Sequence, residues 1–92
     1  MLSDIPKETK ENKNIDKEIL RAAIIAELDA INLYEQLAAR TNNTDLKKIL
    51  LDVAKEEKTH VGEFQYLLLK HDAEQVEELV NGEKEVEEEL NE

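Results

Sequence analysis

The chain contains no cysteine and no tryptophan, and its 92 residues include only one proline and two glycines. Without cysteine, disulfides, thiolate zinc sites and iron–sulfur clusters are excluded, and the absence suits a cytosolic protein. Aromatic residues make up 3% of the sequence, so any core must be aliphatic. Because proline and glycine are the residues that most often interrupt helices, their scarcity favours long helices and an all-α fold.

Positive charge and long apolar runs are also scarce. Twelve Lys and Arg residues stand against 23 Asp and Glu residues, which gives a formal net charge of −11. Nucleic acid is therefore not an expected partner, because binding to phosphates needs a basic surface. No run approaches the roughly 18 apolar residues that span a membrane, and no signal peptide is visible, so we expect no membrane partner. A negative surface instead attracts cations, although it also keeps a helical protein soluble.

The length allows one domain, within which we predict three segments. Residues 1–14 are polar and lack helical periodicity, which predicts a flexible lead-in. Residues 15–82 are the predicted helical domain, and residues 83–92 are an acidic tail, either a short amphipathic helix or a frayed end. An N-cap at Asp16 predicts a first helix that runs to about Arg40. Apolar residues cover an unusually wide arc of this helix, which predicts more than one neighbour and therefore an oligomer.

A second long helix is predicted after a short break. Residues 41–43 interrupt the periodicity, and Thr44 is predicted to cap a helix over residues 45–70. So short a connection makes two helices pack antiparallel. A capping-box pattern that begins at Asp72 predicts a third, short helix, which we expect to end at Gly82.

Three ionisable residues fall where these helices should be apolar. At about 100° per residue, Glu27 lies in the middle of the aliphatic face of the first helix. Glu57 and His60, one turn apart, interrupt the aliphatic face of the second helix. Charges in such places cost several kcal/mol each unless something compensates them. A metal ion could do so, because carboxylate oxygen and imidazole nitrogen together suit iron, manganese or zinc.

Each of these positions also has a purely structural interpretation. The three residues could form a buried polar network that fixes the register of a coiled-coil-like dimer. A Glu-x-x-His pattern alone is a weak signal in so acidic a chain, and metal is favoured because all three positions interrupt apolar faces. Tyr34, two turns after Glu27, could donate its hydroxyl to a metal-bound carboxylate or be a core residue with its hydroxyl at the rim.

One copy of the chain has too few ligands for a carboxylate-bridged two-metal centre. Such a centre takes Glu from two helices and Glu-x-x-His from two others, inside a four-helix bundle. Two copies about a two-fold axis would supply that set, so the sequence predicts an isologous dimer with the site at its interface. Glu57 is expected to bridge the two metals, while Glu27 and His60 each bind one of them. Iron is the expected metal, because paired Fe(II) ions can pass electrons together to one oxidant, but manganese or zinc could occupy the same ligands and the sequence alone does not choose.

Two segments around these residues resemble the encapsulated ferritin family. They are residues 22–36, AAIIAELDAINLYEQ, and residues 49–60, ILLDVAKEEKTH. The separation of Glu27 and Glu57 in the sequence matches that family as well. The resemblance covers about residues 16–81 and is close to the archaeal form, in which this domain is joined to the shell protein of an encapsulin nanocompartment.

The resemblance implies a ferritin-like antiparallel hairpin that dimerises around a di-iron ferroxidase centre, with the dimers assembled into a ring-shaped decamer. It implies that the protein oxidises Fe(II) inside the lumen of a cytoplasmic encapsulin shell, which stores the iron. The catalytic residues it implies are Glu27, Glu57 and His60 as metal ligands, with Tyr34 as the neighbouring tyrosine. Two other functions stay open, namely a rubrerythrin-like di-metal peroxidase and a metal-free helical assembly module.

Overall fold

The computed structural model describes residues 15–91, and the regular structure in this range is entirely α-helical. α1 spans Ile15–Arg40, α2 spans Thr44–His71 and α3 spans Ala73–Leu90. The all-α fold with two long helices and a third one is therefore confirmed. The predicted flexible lead-in at residues 1–14 lies outside the described range. Within that range, no helix combines the length and the apolar character that crossing a membrane requires.

α1 and α2 form an antiparallel hairpin, as predicted, and nearly all contacts between helices lie within this pair. Pairs across the hairpin run in opposite order, since Glu27 meets His60 whereas Glu35 meets Lys58. Facing stripes at helical spacing supply the core. Its buried aliphatic residues are Leu20, Ile31 and Ala38 of α1 together with Ala54 and Leu68 of α2.

The starts of the two long helices differ from the prediction by about one residue. Asn43, and not Thr44, caps α2, because its Oδ1 accepts a 3.0 Å hydrogen bond from the backbone N–H of Leu46. Asn and Thr are both favoured at the N-cap, so either of these adjacent residues could cap the helix. α1 already includes Ile15, so the N-cap predicted at Asp16 is wrong. Asp16 lies in the first turn, where its negative charge is favourable to the helix dipole.

Asp72 is the single residue between α2 and α3, and it is buried. Its Oδ1 accepts a 3.0 Å hydrogen bond from the backbone N–H of Gln75, which confirms the predicted cap. Its Oδ2 forms a 2.8 Å ion pair with Arg21 of α1. The hydrogen bond from Gln75 is the first cause that lowers the pKa of Asp72 below its ordinary value, and Arg21 adds to the effect. This carboxylate therefore ties the start of α3 to the hairpin.

α3 runs away from the hairpin beyond Asp72. It continues through Gly82 to Leu90, so the helix end predicted at Gly82 is wrong. A glycine costs a helix only about 1 kcal/mol relative to alanine, which the strong helix formers after it outweigh. No residue of α3 is buried, and the radius of gyration, 17.0 Å, exceeds the roughly 12 Å of a compact chain of this length. The division into a domain at residues 15–82 and a tail at residues 83–92 stays a prediction.

Candidate metal centre

Glu27, Glu57 and His60 come together between α1 and α2, near the middle of both helices. One ligand atom from each residue lies within 4.8 Å of the other two. Nδ1 of His60 is 3.3 Å from Oε2 of Glu27 and 3.1 Å from Oε1 of Glu57. Both carboxylates thus converge on the same ring nitrogen, at a point where a metal ion could take the place of a proton. We call these three residues the ligand cluster.

Helical spacing and the antiparallel pairing explain this convergence. Glu57 and His60 are three residues apart on α2, so their side chains project from the same side of that helix. Glu27 lies on the stripe of α1 that contains the buried residues Leu20 and Ile31, and that stripe faces α2. The short connection between the helices then sets which residues meet across the hairpin.

The ligand cluster is partly exposed, and the pKa values of Glu57 and His60 are raised. The side chains of Glu27 and Glu57 are each 19% exposed, whereas that of His60 is 43% exposed. A hydrogen bond with Glu27 is the first cause that raises the pKa of Glu57, and partial burial is the second. Burial alone would lower the pKa of His60, but its hydrogen bond to Glu27 and the charges of both carboxylates outweigh burial and raise it.

The chemistry of these donors fits a divalent transition metal. One imidazole nitrogen and two carboxylates suit Fe(II), Mn(II) and Zn(II), and the sequence offers no thiolate that would favour a softer site. Each carboxylate has two oxygens, so one of them can bind a first ion while the other reaches a second. A single copy supplies three ligand side chains, which is half of the set that a carboxylate-bridged pair of metals takes.

Tyr34 lies on the same side of α1 as Glu27, and it is half-buried. The two residues are seven positions apart, which corresponds to about 10 Å along the helix axis. Among the described residues, the Tyr34 hydroxyl forms no hydrogen bond with the ligand cluster. Its role as the neighbouring tyrosine of a metal site therefore stays a prediction.

Several large aliphatic side chains remain exposed on the side of the hairpin where the ligand cluster is open. Helical spacing puts them on the same side of the hairpin as His60. We call this surface the site face, and its large aliphatic residues, between 41% and 57% exposed, are Ile19, Leu33, Leu37, Leu46, Ile49 and Leu67. A row of exposed large aliphatic residues along one side of a hairpin is typical of a region that another protein surface covers.

A helical hairpin in which one Glu faces a Glu-x-x-His pair is half of the ligand arrangement of the ferritin-like class of proteins. The sequence profile of the rubrerythrin family matches residues 18–92. The crystal structure of the encapsulated ferritin domain from Pyrococcus furiosus is 58% identical to this chain, with a TM-score of 0.84 over 91% of this chain and 86% of that one. The chain therefore belongs to the rubrerythrin family and, within it, to the encapsulated ferritins, which confirms the expected resemblance.

Two curated relatives are joined to, or associated with, encapsulins. A ferritin-like–encapsulin shell fusion protein of Pyrococcus furiosus is 66% identical over 71 residues, which are 77% of this chain and 21% of the fusion protein. The encapsulin nanocompartment cargo protein EncC of Myxococcus xanthus is 46% identical over 56 residues, which are 61% of this chain and 43% of that protein. The chain thus spans about a fifth of the first relative and less than half of the second.

Metal binding to the ligand cluster should strengthen as the pH rises. A metal must displace the protons of His60 and Glu57, and both pKa values are raised, so these protons stay bound up to a higher pH than usual. We expect the affinity for Zn(II), measured by calorimetry, to rise between about pH 6 and pH 8, by at most about tenfold per pH unit for each proton displaced. The variant His60→Gln should bind more weakly and lose most of this dependence. Equal affinity at both pH values in the wild type would contradict the prediction.

Proposed function

We propose that the protein is a ferroxidase, which oxidises Fe(II) to Fe(III) at a di-iron site between two copies of the chain. The observation that carries the proposal is the convergence of Glu27, Glu57 and His60 beside an exposed apolar surface. Fe(II) is the substrate of this reaction, and the carboxylates and the imidazole are the groups that hold it. Two Fe(II) held side by side can give two electrons to one dioxygen molecule, which a single Fe(II) cannot do.

The geometry supports a division of roles among the three ligands. Glu57 is placed beside His60 on α2 and also next to Glu27 of α1, so it is the carboxylate best placed to bridge two metals. Glu27 and His60 would then each bind one metal at its outer side. Two copies about a two-fold axis would supply both halves of this set, and the site face would be the surface that they bury. Burial of its aliphatic side chains would favour the dimer by about 25 cal/mol for each Å² removed from water.

The named relatives extend the proposal from oxidation to storage. One of them is fused to an encapsulin shell, and another is a cargo protein of an encapsulin nanocompartment. On this proposal the chain works inside such a compartment in the cytoplasm and delivers Fe(III) that the shell retains. The helical hairpin has only five buried aliphatic residues among those described, so it has no interior in which to keep a mineral itself. The ring-shaped decamer also stays a prediction.

The test is anaerobic binding of Fe(II) followed by exposure to air, for the wild type beside Glu27→Ala. We expect saturation near one iron per chain and fast oxidation in the wild type, and a loss of at least about tenfold in rate in the variant. Asp29→Ala is the matched control, because Asp29 is an exposed acid two positions away. Equal, slow oxidation in the wild type and Glu27→Ala would mean that the ligand cluster is structural, and the ferroxidase proposal would fail.

A peroxidase is the second candidate, because the matching family profile is that of rubrerythrin. These 92 residues contain no cysteine for a thiolate-bound iron site, but a di-iron peroxidase does not need one. The same iron-loaded protein can be mixed with hydrogen peroxide or with dioxygen at equal concentrations. Oxidation by dioxygen at the higher rate supports the ferroxidase, whereas a faster reaction with peroxide supports the second candidate.

A further inference from the structure

A single residue separates α2 from α3, and the local sequence does not require the chain to break there. α2 ends at His71, α3 begins at Ala73, and Asp72 between them has φ −141° and ψ 83°, outside the helical region. The stretch from His71 to Gln75, HDAEQ, contains neither proline nor glycine. Alanine, glutamate and glutamine are strong helix formers. By propensity alone, α2 and α3 should form one helix.

The break at Asp72 determines the shape of the molecule. A continuous helix from Thr44 to Leu90 would be about 70 Å long at 1.5 Å per residue. The longest dimension of the described part of the molecule is 49 Å, and the second is 44 Å. α3 therefore turns steeply away from the line of α2, and Asp72 is the residue at which it turns.

Two contacts hold Asp72 in this conformation, and they use different oxygens of its carboxylate. Oδ1 accepts the 3.0 Å hydrogen bond from the backbone N–H of Gln75, which in a continuous helix would donate to the carbonyl of His71. Oδ2 forms the 2.8 Å ion pair with Arg21 of α1. A side chain that takes over a hydrogen bond of the helical backbone is a known cause of a sharp kink.

The burial of Asp72 makes these two contacts decisive. Its exposed fraction is 7%, so its charge has little access to water and depends on the partners it has in the protein. The hydrogen bond from Gln75 first, and Arg21 in addition, lower its pKa, so the side chain is a carboxylate in neutral solution. α3 contributes little packing that could fix its own direction, because none of its residues is buried.

We propose that the break between α2 and α3 is conditional, and that the contacts of the Asp72 carboxylate with Arg21 and with the N–H of Gln75 maintain it. Without them, α2 and α3 join in one helix, because the N–H groups after His71 then return to the carbonyls of the last turn of α2. The junction is thus a two-state element, and a change that removes the carboxylate contacts redirects α3. No residue of the ligand cluster takes part, so this inference does not rest on the proposed ferroxidase activity.

A distance measured within single chains tests the proposal. Because the sequence has no cysteine, spin labels can be attached at two introduced ones alone, Lys55→Cys on α2 and Glu85→Cys on α3, both at exposed positions. A continuous helix would separate these positions by about 45 Å, whereas a right-angled break at Asp72 brings them to about 32 Å. Double electron–electron resonance on metal-free labelled chains, diluted with unlabelled protein, reports the distance within one chain. The labelled chain without further changes should show the shorter distance.

Three variants of the labelled chain separate the causes of the break. Asp72→Ala removes both contacts and should move most of the distribution to about 45 Å. Arg21→Gln should show both distances, since the hydrogen bond from Gln75 remains. Arg40→Gln is the matched control, because it removes the same charge from an exposed arginine at the other end of α1, and it should leave the distance unchanged. Arg21 is itself exposed, so its variant stays informative even if circular dichroism shows that Asp72→Ala does not fold.

Three results would contradict the proposal. A short distance that persists in both Asp72→Ala and Arg21→Gln would overturn it, because the break would then not depend on these contacts. A shift in Asp72→Ala alone would overturn the role of Arg21. A broad distribution without a maximum near 45 Å would mean that the freed junction is flexible and not helical, which also overturns it. The rate of Fe(II) oxidation plays no part in these measurements, so the failure of this proposal and that of the ferroxidase are distinguishable.

Discussion

Replacing Glu57 by alanine should abolish fast Fe(II) oxidation while the helix content stays largely unchanged. Oε1 of Glu57 lies 3.1 Å from Nδ1 of His60, and the carboxylate is the proposed bridge between two metals. Without it, no carboxylate bridges the metal bound by Glu27 and the metal bound by His60, so two Fe(II) ions are no longer held side by side. We expect the rate of oxidation in air to fall about a hundredfold, toward that of Fe(II) in buffer. Oxygen consumption after anaerobic loading with iron measures this rate.

Glu56→Ala is the control for this experiment. Glu56 is the adjacent residue with the same charge, but it is exposed and lies on another side of α2. The variant Glu56→Ala should oxidise iron at the wild-type rate, and both variants should have the far-ultraviolet circular dichroism of a helical chain. Wild-type turnover in Glu57→Ala would remove Glu57 from the bridge. An equal loss in both variants would assign the effect to the overall negative charge and not to a site.

The parts of the structure that the sequence predicts are those that follow from helical periodicity. Both long helices carry continuous apolar stripes, and a residue that interrupts such a stripe is visible without coordinates. Glu27, Glu57 and His60 were found in this way, and the structure brings them together. Which neighbouring residue caps a helix is a choice between chemically similar side chains, so Asn43 and Thr44 could not be separated.

Features that depend on distant contacts could not be predicted. Asp72 was identified as a cap, but its ion pair with Arg21 joins residues 51 positions apart, and no local pattern signals it. The helix end predicted at Gly82 is wrong because one glycine costs less free energy than the helix formers around it contribute.

A metal should promote association of the chain and raise its thermal stability together. Half of a two-metal site in each copy couples binding to dimer formation, so the metal stabilises the dimer and not the separate chains. At a free metal concentration of about 100 times the dissociation constant, this linkage contributes about 2.7 kcal/mol per site. Zn(II) suits the experiment because it binds the same ligand types without a change of oxidation state. Sedimentation and thermal unfolding should both respond to it, and a chelator should reverse both effects.

The variant His60→Gln separates the possible origins of such a response. It lacks the imidazole nitrogen on which both carboxylates converge, so Zn(II) should change neither its association nor its unfolding midpoint appreciably. If Zn(II) raises the midpoint of the wild type but leaves its sedimentation unchanged at the dimer, the metal-free dimer is already formed. If the midpoint rises in a chain that stays monomeric, the three ligands of one hairpin hold an ion without a partner. That result would contradict the shared di-iron site, because a single chain would then bind metal without ligands from a second copy.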